Sequence, residues 1–250
     1  MKLNVGLIGK GKWGKIIKKK LNILSNLKFT CGKNKDYLRL IKSSNVKWVF
    51  IVTPNNTHYK LVKMCLNNGV NVFCEKPLCI SIHQAKKLIS ISKKNKVKLF
   101  VSDLYNFYSN KLENINSVTE IYRSKLVKGL DKEFFYRFMY HDISILYKKL
   151  KKLSNFTCQS YHNNFEKKFK LVIDTSNKKR FTFFYNLKSK KKEHLINNAC
   201  IKLKKDILKE MINNVLKNKV KFDQNNQKAL FIIKFINQIK KKVKKVKYVD

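Results

Sequence analysis

A glycine-rich segment near the start of the chain has the residue types and spacing that bind a dinucleotide pyrophosphate. The segment is Gly9-Lys10-Gly11-Lys12-Trp13-Gly14, between the apolar run 3–8 and apolar residues at helical spacing over 15–21. In a strand–G-x-G-x-x-G–helix unit the first glycine allows a tight turn. The second lets the backbone approach the phosphates, and the third lets helix and strand pack closely. The helix N-terminus adds amide donors. The loop is therefore predicted to bind a dinucleotide; the alternative is a glycine-rich turn without a ligand.

Two further segments place unusual residues directly after apolar runs. Thr53-Pro54-Asn55 follows the run 46–52, with His58 shortly after it, and Glu75-Lys76-Pro77 follows the run 70–74. The chain has only seven Gly and two Pro, so their placement here indicates demanding backbone geometry. The ligand crevice of a doubly wound sheet lies at the carboxyl ends of its strands. The three segments are therefore expected to converge on one sheet edge.

The supporting elements alternate in the first part of the chain and change character afterwards. Strands are predicted over 3–8, 27–31, 46–52, 70–74 and 97–101, with helices between them, which is typical of a parallel α/β sheet. Past residue 112 the pattern predicts strands over 118–123, 156–162, 168–175 and 180–187, pairing in sequence as an antiparallel sheet, and helices over 142–153, 206–216 and 227–239. The fold class is thus α/β, with a doubly wound domain at 1–112 and a smaller α+β domain at 113–250.

The end of the second predicted strand bears on the coenzyme. An NAD-binding unit usually carries Asp or Glu there to accept from the ribose hydroxyls. Here Gly32-Lys33-Asn34-Lys35 follows the strand, and the first acidic residue is Asp36. Lys33 suits a 2′-phosphate, so NADP is favoured over NAD. The alternative is that Lys33 is one more lysine in a lysine-rich chain.

The charge balance admits two interpretations. The net charge is +42, but only four of the 57 basic residues are Arg. The first is a bias toward AT-rich codons, which explains abundant Lys. The second is a surface that binds nucleic acid, but such surfaces usually feature Arg for bidentate contacts. No specific nucleic-acid partner is therefore expected. The chain is also predicted to be cytoplasmic. No apolar run approaches the length of a membrane span, and no leader segment precedes the first strand. Six cysteines without C-x-x-C spacing predict reduced thiols.

These segments together resemble a known family. Residues 5–14, Thr53-Pro54-Asn55-Asn56-Thr57-His58-Tyr59 and residues 69–78, which end in Glu75-Lys76-Pro77-Leu78, are similar in order and spacing to the signatures of the Gfo/Idh/MocA oxidoreductases. The resemblance implies a Rossmann domain and an open-faced α/β domain that often mediates homo-oligomerisation. It also implies hydride transfer between a nicotinamide cofactor and a sugar, cyclitol or sugar-nucleotide.

The resemblance further implies roles for single residues. Lys76 corresponds to the lysine beside the nicotinamide that touches the reacting hydroxyl, a role that suits an ammonium group because it stabilises developing charge on oxygen. His141 corresponds to an acid/base histidine, a role that suits imidazole because it exchanges a proton near neutral pH. His58 is expected to pack near the cofactor. Tyr105 follows the last strand of the first domain, where it lines the active-site mouth or simply packs.

One position departs from the family. Many members carry Asp four residues before the histidine, where this chain has Arg137. Arg137 could clamp an anionic substrate, or its presence could mark a cofactor-binding protein without turnover. Asp142 could orient His141, bind substrate or cap the helix. His83, His162 and His194 have no partner at metal-ligand spacing, so no metal site is predicted.

Overall fold

The computed structural model places the chain in two compact units. The first contains residues 1–107 and 205–233, and the second contains 108–204 and 234–250. The structure describes residues 2–33, 35–107, 118–125, 134–153, 155–163, 167–176, 178–201, 203, 206–243 and 247–248.

The helices and strands alternate in the first part of the chain. The order there is β1 (Asn4–Ile8), α1 (Lys12–Leu24), β2 (Asn26–Cys31), α2 (Tyr37–Ser43), β3 (Trp48–Ile51), α3 (Asn55–Asn67), β4 (Asn71–Cys74), α4 (Ile82–Lys94) and β5 (Leu99–Val101), followed by a short 3-10 turn (Leu104–Phe107). The rest comprises β6 (Val118–Ser124), a π-helical segment (Phe135–Met139), α5 (Tyr140–Leu150), β7 (Phe156–Asn163), β8 (Lys168–Thr175), β9 (Arg180–Asn186), β10 (Glu193–Ile196), β11 (Ala199–Cys200), α6 (Ile207–Leu216), α7 (Phe222–Lys242) and β12 (Lys247–Tyr248).

The sheet of the first unit is parallel throughout, with the strand order β2-β1-β3-β4-β5. Apart from the edge strand β2, its strands are mostly apolar on both sides, as buried parallel strands are. Trp48 and Phe50 of β3 join one core cluster, and Val49 and Ile51 join the other. The predicted doubly wound α/β fold is confirmed, and all five strand ends meet at one edge.

The structure assigns part of the C-terminal segment to a different unit from the predicted one. The sequence pattern assigns all of 113–250 to the second domain, but the structure groups 205–233 with the first unit. The apolar face of α6 explains this, because Met211, Ile212 and Val215 pack into the same cluster as Trp48 and Phe50. The predicted boundary at residue 112 lies outside the described residues.

The start of α7 also pairs with the edge of the first sheet. The Asn225 side chain accepts from the Val101 amide at 2.8 Å and donates to the Val101 carbonyl at 3.0 Å, so it takes the place of a neighbouring strand on β5. Lys228 forms a buried ion pair with Asp103 at 2.7 Å, directly after β5. These contacts tie the first turns of α7 to the carboxyl edge of the sheet.

The second unit contains a mixed sheet with the order β11-β10-β6-β9-β8-β7-β12. β7, β8 and β9 are antiparallel neighbours as expected, but β6 pairs parallel to β9. The expectation of a purely antiparallel sheet is therefore wrong for β6. The π-helical segment and α5 separate β6 from β7, and this crossover lets β6 lie parallel to β9. The short strands β10, β11 and β12 were not predicted from the sequence.

One face of this second sheet packs against α5 and the segment before it. The inward residues Phe169, Leu171, Phe183 and Tyr185 are buried, and Phe134 contacts both Phe169 and Tyr185 edge-on. Among the described residues, no helix combines the length and the apolar character required to cross a bilayer.

Candidate functional site

The glycine loop connects β1 to α1, and its three fingerprint glycines meet different surroundings. A Cβ atom at Gly9, whose φ is +130°, would collide with the Val52 carbonyl, and one at Gly14 would collide with the Gly9 carbonyl. A Cβ atom at Gly11 would meet no protein atom within 4 Å. Packing therefore requires glycine at positions 9 and 14, whereas at position 11 the bare backbone leaves room for a phosphate to approach.

The N-terminus of α1 suits an anion. Gly11 is its N-cap residue, no side chain accepts a capping hydrogen bond, and the first turn contains no acidic residue. Lys10 and Lys12 are exposed beside it. The helix dipole and these cations favour negative charge at this position.

The loop after β3 is held by its own side chains and by His58. The Thr53 and Thr57 hydroxyls lie 2.6 Å apart, and Pro54 is the N-cap residue of α3. His58 is fully buried, with Nε2 2.9 Å from the Thr53 carbonyl oxygen and Nδ1 2.8 Å from the Pro77 carbonyl oxygen. Both neighbours are acceptors, so the ring bridges the Thr53-Pro54-Asn55 loop and the Glu75-Lys76-Pro77 loop.

The loop after β4 is also tied to the glycine loop. The Trp13 indole Nε1 donates to Glu75 Oε1 at 2.7 Å, and the Lys76 amide donates to Glu75 Oε2 at 3.3 Å. The Lys76–Pro77 peptide bond is cis, and the Lys76 side chain is half-buried. The structure therefore brings the three predicted segments together at the carboxyl edge of the sheet.

Lysines follow β2, and the first carboxylate after them, Asp36, caps a helix. Asp36 is the N-cap residue of α2 and accepts from the Arg39 amide at 2.9 Å. Lys33 is exposed, and the Lys10 side chain passes beside Gly32. The nearest acidic side chain along the chain is thus already used by a helix cap.

Tyr105 and the predicted residues of the second unit lie in distinct settings. Tyr105 is half-buried in the 3-10 turn after β5 of the first unit. His141 is half-buried in the first turn of α5, and Arg137 is exposed on the π-helical segment with its guanidinium 5.4 Å from the Phe138 ring centre. π-Helical turns occur frequently at functional sites.

Asp142 is fully buried and does not cap α5, whose N-cap residue is Met139. Its Oδ1 lies 2.8 Å from Arg123 Nη2 and 2.9 Å from His194 Nε2, and Tyr185 donates its hydroxyl to Oδ2 at 2.8 Å. The capping interpretation is therefore wrong. Sequence reasoning missed Arg123, Tyr185 and His194, because only strand pairing brings them beside Asp142.

The charges in this cluster are matched. Burial alone would raise the pKa of Asp142, but the Arg123 guanidinium and the His194 and Tyr185 donors hold it below its usual range. Burial lowers the pKa of His194 despite the neighbouring carboxylate. Burial and the Asp142 charge raise the pKa of Tyr185 well above its usual range. Arg123 Nη2 also lies 3.1 Å from His194 Nδ1 and 3.2 Å from its Nε2.

The cysteines near the sheet edge remain protonated at neutral pH. Burial raises the pKa of Cys74 well above its usual value and that of Cys79 to about 12. Thiolate chemistry is thus disfavoured on both sides of Lys76. Within the described residues, no group of three His, Cys, Asp or Glu side chains could hold a metal ion.

Comparison with known proteins finds a family model that matches part of the first unit. Residues 16–103 match the model of the Gfo/Idh/MocA family, described as an oxidoreductase family with an NAD-binding Rossmann fold. The resemblance inferred from the three motifs is thereby confirmed.

The curated relatives match over part of their length. The myo-inositol 2-dehydrogenase of Thermotoga maritima is 30% identical over 117 residues, which cover 39% of this chain and 35% of that protein. An uncharacterized oxidoreductase of Streptococcus pneumoniae is 34% identical over 70 residues, covering 28% of this chain and 19% of that protein.

Solved structures match over nearly the whole chain at low identity. The UDP-N-acetylglucosamine 3-dehydrogenase of Acidithiobacillus ferrooxidans has a TM-score of 0.81 at 16% identity, covering 97% of this chain and 98% of that chain. GenD2 from gentamicin A biosynthesis, solved with NAD, has a TM-score of 0.71 at 10% identity, covering 96% and 94%. The fold of each unit is therefore similar to that of these dehydrogenases.

Proposed function

We propose that this protein is an NAD(P)-dependent oxidoreductase that transfers hydride between a nicotinamide cofactor and a carbon bearing a hydroxyl group in a sugar, cyclitol or sugar-nucleotide. The observation that carries the proposal is the linkage of three loops at one sheet edge. The hydrogen bond from Trp13 to Glu75 joins the glycine loop to the loop that contains Lys76. The His58 ring joins the Lys76 loop to the loop that contains Thr53.

The residues at this edge fit a nicotinamide dinucleotide. The open side of Gly11 and the uncapped start of α1 suit the pyrophosphate. We assign coenzyme contacts to the glycine loop (Gly9 to Gly14), to the Thr53-Pro54-Asn55 loop with His58, and to Glu75 and Lys76. The capping role of Asp36 and the exposed Lys33 support NADP as the preferred form.

The bound cofactor would supply or accept the hydride. Lys76 would hold the substrate oxygen and stabilise negative charge as it develops there. His141 would take the hydroxyl proton during oxidation and return it during reduction, since imidazole titrates near neutral pH. These assignments rest on motif positions and on the chemistry of the two side chains.

The substrate class follows from relatives and from Arg137. The matched proteins include a myo-inositol dehydrogenase and a dehydrogenase of a UDP-sugar. Arg137 is exposed one turn before His141, where a guanidinium can hold a phosphate or carboxylate. This favours an anionic sugar derivative. Tyr105, directly after the last strand of the first sheet, is assigned to substrate contact from its place in the chain.

Arg137 also supports a second candidate function. A basic residue where many relatives have Asp removes an acidic neighbour from His141. The alternative is therefore a protein of the same family that binds the coenzyme without turnover and acts as a sensor or subunit.

Two further properties belong to the proposal. Six free cysteines support a reducing, cytoplasmic location. Tyr122 and Phe184 stack at 5.6 Å on the sheet face opposite the one packed against α5, and this half-buried aromatic pair supports a homo-oligomer formed through that sheet.

Coenzyme titration and turnover test the proposal together. Wild type should quench or enhance the fluorescence of NADPH or NADH on binding, and should turn over at least one member of a panel of cyclitols, sugars, uronates and UDP-sugars. Lys76→Ala should retain coenzyme binding and lose about 10²–10³-fold in kcat, as when one transition-state donor is removed. Lys86→Ala, on the exposed face of α4, is the matched control. Coenzyme binding without turnover of any substrate would favour the sensor or subunit.

A further inference from the structure

We propose that Asp142 is a positioning residue whose buried network with Arg123, Tyr185 and His194 fixes the first turn of α5, and so the direction in which His141 projects. The proposal rests on the proposed function only where it concerns turnover. The positional claim concerns this chain's own side chains and holds or fails without any substrate.

The three partners of Asp142 form one row across three neighbouring strands. His194 of β10 lies opposite Arg123 of β6, and Arg123 lies opposite Tyr185 of β9. Residues that face each other across strands point to the same side of a sheet. All three side chains therefore point toward α5 and meet the Asp142 carboxylate between them.

The contacts constrain the helix in more than one direction. Arg123 Nη2 and His194 Nε2 lie at ion-pair distances of 2.8 and 2.9 Å from Oδ1, and the Tyr185 hydroxyl donates to Oδ2 at 2.8 Å. A rotation or an axial slide of the first turn would lengthen these ion-pair distances or break the Tyr185 hydrogen bond, and separating the buried charge from its partners is strongly unfavourable. His141 is the preceding residue, so its backbone cannot shift without moving Asp142.

The inward positions next to this polar row are occupied by apolar side chains. Ile121 precedes Arg123 on the same face of β6, and Phe183 precedes Tyr185 on the same face of β9; both are fully buried. Buried ion pairs contribute less to stability than well-packed apolar side chains, and their better-attested use is to specify one arrangement. The polar row lies where α5 begins, directly after the π-helical segment, whose backbone pairing differs from that of α5.

Histidine ring resonances in the ligand-free protein test the positional claim. Tyr185→Phe removes one donor at constant shape, and Asp142→Asn removes the charge. The matched controls are Tyr161→Phe and Asp174→Asn, which alter the exposed contacts Tyr161–Gln159 and Asp174–Arg180 of the same sheet. The His141 ring signals in a two-dimensional ¹H–¹⁵N spectrum are assigned by their loss in His141→Gln.

The expected result is that both network variants shift or broaden the His141 ring signals, whereas the controls leave them unchanged. A lowered Tm with unchanged His141 signals would mean that the network only stabilises the fold, and would overturn the proposal. If Asp142→Asn fails to fold, Tyr185→Phe decides by the same criterion.

Turnover gives a second readout where wild type is active. Tyr185→Phe should lower kcat about tenfold or more with little change in coenzyme affinity, since small displacements of a reacting group cost up to about 10²-fold. An unchanged kcat would overturn the proposal. A wild type without turnover would contradict the proposed function, and the ring signals would still decide the role of Asp142.

Discussion

At the scale of single residues, the glycine loop separates packing from ligand binding. Gly14 lies against the Gly9 carbonyl, whereas the space beside Gly11 contains no protein atom within 4 Å. Gly14→Ala should therefore destabilise the protein by about 1–3 kcal/mol, as overpacking does. Gly11→Ala should leave the Tm near that of wild type and weaken coenzyme binding at least about tenfold, or 1.4 kcal/mol. Thermal melts and coenzyme titrations of both variants check this, and tight binding by Gly11→Ala would contradict the phosphate role of the loop.

Coenzyme choice is also argued at the residue scale. With Asp36 engaged by the Arg39 amide, Lys33 is the first exposed charge that follows β2. Lys33→Asp should shift the preference from NADPH toward NADH, because a carboxylate accepts from ribose hydroxyls and repels a 2′-phosphate. The ratio of the two dissociation constants measures the shift; Lys28→Asp on β2 is a control for the change of charge. An unchanged ratio would remove the argument for NADP.

The residues that sequence could identify are those whose backbone demands are visible in their type. Gly9 and Pro77 are scarce residue types at strand ends, and the structure shows a positive φ at the first and a cis bond before the second. The partners of Asp142 carry no such signal, because Tyr185 lies 43 residues away and meets it only through the fold. Sequence therefore predicted the loops of the first unit and missed the buried cluster of the second.

At the scale of elements, periodicity identified helices and strands better than it identified their partners. The predicted strand 168–175 matches β8. The parallel pairing of β6 with β9 was missed, because strand alternation specifies a face and not a neighbour. The four-residue β10 and the two-residue β11 and β12 are too short for periodicity to show.

The row across β10, β6 and β9 predicts how stability depends on pH. The folded state lowers the pKa of both Asp142 and His194 below their ordinary values, so the unfolded chain binds more protons. Stability should therefore decline as pH falls below about 6.5, the ordinary histidine value, and decline again where unfolded aspartate is protonated, near about 3.9. Urea unfolding at a series of pH values measures this. His194→Gln should flatten the first decline, and the exposed His83→Gln should not; equal slopes in all three proteins would contradict the assignment.

At the scale of the whole molecule, a net charge of +42 must act on stability whatever the site does. Self-repulsion of this size opposes the compact state, and salt screens it. Raising NaCl from about 0.01 to about 0.15 M shortens the screening length from about 30 to about 8 Å. The Tm should therefore rise over this range, and KCl at equal ionic strength should give the same rise, because screening does not depend on the identity of the cation.

The same charge gives the last test of the nucleic-acid alternative. If the lysines merely reflect composition, RNA should bind without sequence preference and dissociate steeply as salt rises, since such binding comes from counterion release. NADPH should still bind at salt concentrations where RNA has dissociated, because the loop at α1 offers directed amides in addition to charge. Filter binding with RNAs of different sequence, alongside coenzyme titration at each salt concentration, measures both. Retention of one RNA sequence at high salt would mean that the basic surface has a selective partner, and the oxidoreductase proposal would then describe only part of what the protein does.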